Sequence, residues 1–100
     1  LSLVGSEMCI RDRYSVTLER EKPFNMIVIT DRNNDRLQEY SLEYRTGNTW
    51  KTLFEGKAPT SQRVKIHRFD TVWGDAVRMK VQKSNGTASI AEFGIYCERK

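Results

Sequence analysis

One hundred residues carry 17 Lys and Arg against 13 Asp and Glu, a net charge of +4, with 38% hydrophobic and 30% charged residues. That is room for one small domain, and the composition excludes a disordered chain, while no apolar run approaches the length a bilayer requires. Basic residues alternate with acidic ones from Glu19 to Lys22, Asp31 to Glu43 and Arg63 to Asp70, so there is no basic stripe to track a phosphate backbone and nucleic acid is not an expected partner.

The first stretch, LSLVGSEMCIRDR, has neither strand alternation nor a helical stripe. A secretory signal needs a basic start and a continuous apolar middle. Here the charges come late, and Gly5, Ser6 and Glu7 break the apolar run. Leu3 to Asp12 resembles the in-frame translation of a transposase-type sequencing adapter. Leu1 to Arg13 is therefore expected to be a foreign leader, with the domain proper running from Tyr14 to Lys100. Two cysteines near the two ends, Cys9 and Cys97, would otherwise suggest a terminal staple; with a foreign leader, Cys9 has no native partner.

From Tyr14 the chain reads as strands and turns. Tyr14, Val16 and Leu18 alternate with polar neighbours, the period of a half-buried strand. Glu19 to Pro23 is expected to turn the chain, since proline cannot donate within a central ladder. FNMIVIT, Phe24 to Thr30, is apolar on both faces and suits an interior strand. Asp31 to Arg36, DRNNDR, is a polar loop rich in turn-forming residues. Tyr40, Leu42 and Tyr44 share one face of the next strand, with Glu39, Ser41, Glu43 and Arg45 on the other. Thr46-Gly47-Asn48-Thr49 supplies a turn, and Trp50 to Phe54 begins the return strand of a hairpin. Gly56 to Gln62 is expected to be loop. Val64 and Ile66 alternate again, and Phe69 falls out of phase as it would after a bulge. Val77, Met79 and Val81 form another inward face. Asn85-Gly86 is a strong turn dipeptide, and Ile90 to Tyr96 makes the last strand. Six or seven short strands without a helical stripe predict an all-β, antiparallel sandwich or barrel.

Several residues invite functional readings, each beside a structural one. Histidine occurs once, at His67, and a lone His makes no catalytic triad. Opposite Val64 and Ile66 in direction, it is expected on the surface, as a bystander or a sugar contact. Trp73 is expected in a turn, where an indole can stack on the apolar face of a pyranose or cover the end of the core. Asp31, Arg32, Asn33, Asn34 and Arg36 offer carboxylate, amides and guanidinium forks suited to sugar hydroxyls, though any hairpin needs a polar loop. Trp50 has apolar company at Leu53 and Phe54 and is expected to be structural. Arg78 and Glu92 are expected to form a structural charged pair or to bond backbone groups of the sheet. No spacing of His and Cys suits a metal, so no metal and no cofactor are expected. Asn85-Gly86-Thr87 matches a glycosylation acceptor, but the Asn-Gly turn already accounts for it.

Three pieces line up in order: TLEREKPFNMIVI, RLQEYSLEYRTGNTWKTLFEG, and VKIHRFDTVWGDAVRMKV followed by SIAEFGIY. Together they resemble the C-terminal two-thirds of a discoidin-like, coagulation factor five/eight type C domain, most specifically at Arg78 within AVRMKV and Glu92 within SIAEFGIY. The wording is especially similar to the C-terminal module of bacterial α-L-fucosidases of glycoside hydrolase family 29. The loop ITDRNNDR departs from that module's Gln-Glu-Tyr and Gly-Gln-Arg pattern, matching only at Arg36. The resemblance implies an N-terminally truncated jelly-roll β-sandwich of the galactose-binding kind, with apolar side chains left exposed where a partner strand is missing. It implies a non-catalytic carbohydrate-binding or structural accessory module, extracellular or periplasmic. Its partners would be a glycan, the catalytic domain of the same parent chain, or both, with no membrane span. Any structural calcium of such a domain would belong to the part ahead of Tyr14. The alternative is a free-standing adhesion or lectin-like module that binds cell-surface glycan or protein.

Overall fold

The computed structural model describes residues 2–3, 6–10, 13–31, 37–59, 63–84 and 90–98. Every element among them is a strand: β1 (Ser2–Leu3), β2 (Ser6–Ile10), β3 (Arg13–Asp31), β4 (Leu37–Thr46), β5 (Thr49–Lys57), β6 (Val64–Ser84) and β7 (Ile90–Tyr96). Pairing is antiparallel throughout, in the order β1-β7-β3-β6-β4-β5, with β2 beside β3.

β3 and β6 are long because each serves two layers. Their first ladder pairs Arg13 to Thr17 with Lys80 to Ala76, and their last pairs Met26 to Thr30 with Arg68 to Val64. Between these lie two register shifts, Thr17/Lys22 and Phe24/Met26, where extra residues bend both strands and raise the local twist. The first sheet thus contains β1, β7, the second half of β3 and the first half of β6. The second contains β2, the first half of β3, the second half of β6, β4 and β5. Tyr14 of the second sheet stacks on Phe93 of the first, ring centroids 5.1 Å apart, so the layers face each other as a jelly-roll sandwich. β1 and β2 lie at sheet edges.

The core fills from both layers. Tyr14, Val16, Leu18, Phe24, Ile27, Ile29, Tyr40, Leu42, Val77, Met79, Phe93 and Ile95 are buried together, and Tyr44 and Val81 pack partly against them. The alternating faces read from the sequence for β4 and for the second half of β6 therefore point inward. Phe69 lies across the Phe24/Met26 shift and meets Phe24 edge-on at 6.1 Å.

Three sequence expectations are corrected. Glu19 to Pro23 does not end a strand, because the surplus residues are absorbed as a bulge inside β3, with Pro23 paired to Trp73. Trp73 stands within β6, not in a turn between strands. Val64 and Ile66 face outward, and Lys65 and His67 face inward. Alternation fixes which residues share a face, whereas the opposite layer decides which face is buried.

Two glycines permit this geometry. Gly47, in the β4–β5 turn, has φ 61°, a left-handed conformation that costs glycine nothing. At Gly74 an added Cβ would lie 2.8 Å from the Arg45 carbonyl oxygen and 3.1 Å from the Tyr44 ring, so only glycine lets β6 pass that close at the bend.

Candidate functional site

The bend where β3 and β6 change layers projects side chains outward. Glu19, Arg20 and Glu21 are exposed on the bulge of β3. Lys22 pairs with Gly74 and Pro23 with Trp73. Trp73 is 57% exposed, so its indole is presented to solvent and does not seal the core. The β4–β5 turn is drawn to the same place, since the Gly47 amide donates to Glu21 Oε2 at 3.4 Å. Arg45, at the end of β4, donates to both oxygens of Asp75 at 2.9 and 3.3 Å. That fork holds the Asp75 carboxyl below the usual carboxylate range, mainly through the hydrogen bond from Arg45. One open indole is therefore flanked in sequence and across the ladder by Lys22, Pro23 and the fixed Arg45–Asp75 pair. A flat apolar ring beside oriented polar groups is the chemistry that recognises a sugar ring. Arg45 and Asp75 carried no signal in the sequence, because the register that joins them depends on the bulges.

Farther along β6 lies a second polar group, and it is internal. Lys65 Nζ donates to Asp31 Oδ2 at 3.1 Å with both side chains at 0% exposure. The Asp31 amide donates to the Arg63 carbonyl at 2.9 Å, and Arg63 Nε donates to the Asp31 carbonyl at 3.0 Å. Tyr40 Oη and His67 Nε2 share a hydrogen bond of 2.5 Å, and Phe54 packs on His67 with centroids 4.4 Å apart. Burial pushes the His67 imidazole down to about 4, so it is neutral at neutral pH. Burial, then the charge of Asp31, pushes the Tyr40 phenol up. Asp31 and His67 were candidates for surface sugar contacts, and both are instead enclosed between the layers. The cause is the same inversion that sends Val64 and Ile66 outward: Asp31, at the end of β3, draws Lys65 in. Arg32, Asn33, Asn34 and Arg36 lie outside the described residues, as does Asn85-Gly86-Thr87.

The outer face of the second sheet is occupied by its own side chains. Arg78 donates to Glu43 at 2.8 Å, and Lys80 lies 3.6 Å from the same carboxylate. The hydrogen bond from Arg78 holds Glu43 below the ordinary range. The Arg78 guanidinium also lies 3.9 Å over the Trp50 ring. A charged pair between Arg78 and Glu92 does not form: Arg78 neighbours β3 and β4, whereas Glu92 is exposed on β7 opposite Thr30 in the other sheet. Among the described residues no three His, Cys, Asp or Glu gather to hold a metal.

Comparison with known proteins places this fold. A profile of the F5/8 type C domain matches residues 10–93, while no curated protein matches the chain. Among solved structures, a glycoside hydrolase 29 family member from an unknown rumen bacterium superposes with a TM-score of 0.85 at 16% identity, over 96% of this chain and 19% of that one. A GH29 fucosidase of Ruminococcus gnavus, in complex with fucose, gives 0.75 at 27% identity over 88% and 18%. The family 32 carbohydrate-binding module of C. perfringens NanJ, in complex with galactose, gives 0.75 at 21% identity over 88% and 68%. This chain spans about a fifth of the two enzymes' length.

Proposed function

The chain belongs to the F5/8 type C domain family, and from that premise we propose that it is a carbohydrate-binding module that accompanies a glycoside hydrolase of the α-L-fucosidase kind. The observation that carries the reading is Trp73, an indole 57% exposed at the β3–β6 bend, two residues before the Asp75 that Arg45 holds. A hexose or 6-deoxyhexose would lay its C–H face on the indole. Its hydroxyls would meet the Arg45–Asp75 pair, which is already oriented and so loses little freedom on binding.

The module itself does no chemistry in this reading. Asp75 is held ionised by Arg45, so it is not the protonated acid that glycoside cleavage needs. Cleavage would belong to a separate domain, with the module raising the local concentration of glycan. In this reading the module works in the extracellular or periplasmic space; among the described residues no helix is long and apolar enough to cross a membrane.

Calorimetric titration with fucose and with galactose tests the proposal. Weak, saturable binding of at least one sugar is expected, and Trp73→Ala should weaken it about tenfold or more, roughly 1.4 kcal/mol, with an unchanged unfolding midpoint. Binding that survives Trp73→Ala would remove the site from this bend, and absence of binding by the folded chain would remove the function.

A further inference from the structure

The outward face of the first sheet is apolar where a sheet surface is ordinarily polar. Cross-strand pairing sets three rows on it: Tyr96, Met26 and Arg68; Gly94, Val28 and Ile66; Glu92, Thr30 and Val64. Ile66 and Val64 are 43% and 44% exposed, and Met26, Val28 and Tyr96 are half-buried. The Tyr96 ring lies over Gly94, where an added Cβ would meet it at 2.5 Å. The ring therefore carries the apolar strip across β7. Among the described residues, charge on this face is confined to the margin, at the Arg68–Glu98 pair and at Glu92. An apolar centre within a charged rim is the anatomy of a protein interface. FNMIVIT is apolar on both faces for this reason: Ile27 and Ile29 fill the sandwich, and Met26 and Val28 are left for a second contact.

We infer that this face is the docking surface for the catalytic domain of the same polypeptide. The inference rests on the reading of the chain as an accessory module. In the two family 29 structures it resembles, the matched portion is 18% and 19% of the chain, so most of such a polypeptide lies outside it. A covalently attached neighbour needs only a modest apolar patch, because its effective concentration is high. Trp73 lies beyond the Phe24/Met26 bulge from these rows, which leaves the glycan site open when the face is covered.

Hydroxyl-radical footprinting tests this by comparing the 100-residue chain with the longest polypeptide its reading frame encodes in the source DNA. Labelling of Met26, Ile66 and Tyr96 is expected to fall several-fold in the longer polypeptide and to return when its catalytic domain is deleted, with Trp73 labelled throughout. Protection that persists without the catalytic domain assigns the cover to the module's own leading strands and overturns the proposal. Ile66→Asp should leave the melting of the 100-residue chain unchanged and restore labelling of Met26 and Tyr96 in the longer one. Equal labelling in both chains, with a catalytic domain present, overturns the docking face and leaves the carbohydrate-module reading standing. A reading frame without a catalytic domain overturns both. A 100-residue chain that sediments as a dimer, and as a monomer with Ile66→Asp, assigns the face to a second copy and overturns the proposal.

Discussion

The two halves of β6 follow opposite rules. In the second half Val77 and Met79 point into the core, and Arg78 and Lys80 point out, where Glu43 and Trp50 engage them. In the first half Lys65 and His67 point in, and Val64 and Ile66 point out. The difference lies in what each half faces. The second half packs on the apolar side chains of β3 and β4, so carbon goes inward. The first half meets Asp31 and Tyr40, which supply a carboxylate and a hydroxyl to a buried cation and a neutral imidazole. A strand can thus be internally polar when facing strands offer its buried groups an opposite charge and a hydrogen bond, and its apolar side is then released to the surface. Trp73 sits at the bend between the two regimes, where neither layer covers it.

Removing Lys65 should break this contrast most severely. Lys65→Met leaves the Asp31 carboxylate enclosed without its cation and is expected to cost about 3–5 kcal/mol by urea unfolding. The double substitution Asp31→Leu with Lys65→Met should recover most of that, since a well-packed apolar pair can replace a buried ion pair. A single substitution costing under about 1 kcal/mol would show that Lys65 escapes to water.

Acid should act through the other member of the inverted half. His67 titrates at about 4 in the folded chain against about 6.5 unfolded. Between those values the unfolded chain binds the extra proton, so stability is complete above pH about 6.5 and declines as the pH falls toward 4. The total loss is about 3 kcal/mol at 1.36 kcal/mol per unit. Denaturant midpoints measured across this range should slope for the native sequence and flatten for His67→Gln at that site.

Smaller effects belong to the regular half. Arg78→Ala removes the Glu43 partner and the cover on Trp50, and about 1–2 kcal/mol is expected from guanidinium denaturation. Ile66→Thr, on the outward side of the inverted half, should fall within about 0.5 kcal/mol. If the order of these two were reversed, the outward and inward assignments of β6 would be wrong.

Strand existence was legible because alternation and turn chemistry are local. The Tyr40–Leu42–Tyr44 face, the Gly47 turn and the Ile90–Tyr96 strand follow from a few neighbouring residues each. The quoted motifs resemble the F5/8 type C family, and its profile matches residues 10–93. Which side of Val64–His67 is buried was not legible, since it depends on Asp31, more than thirty positions away in the chain. Nor were the bulges that run β3 and β6 through both layers, because proline and out-of-phase residues read alike as turns and as bends. The site shares that limit: Trp73 was visible as an aromatic near Gly74, but its Arg45–Asp75 flank exists only once the register is set.

Trp73 and Trp50 together offer the most direct test. In a proton–nitrogen NMR titration with fucose and galactose, the two indole N–H signals report the open ring and the one under Arg78 separately. The expected result is a saturable shift of the Trp73 signal, larger than the one that reaches Trp50 through Arg45, whose guanidinium lies 5.7 Å from the Trp50 ring centroid. A saturable shift of Trp50 alone, or none at either ring in the folded chain, would contradict a sugar platform at the β3–β6 bend.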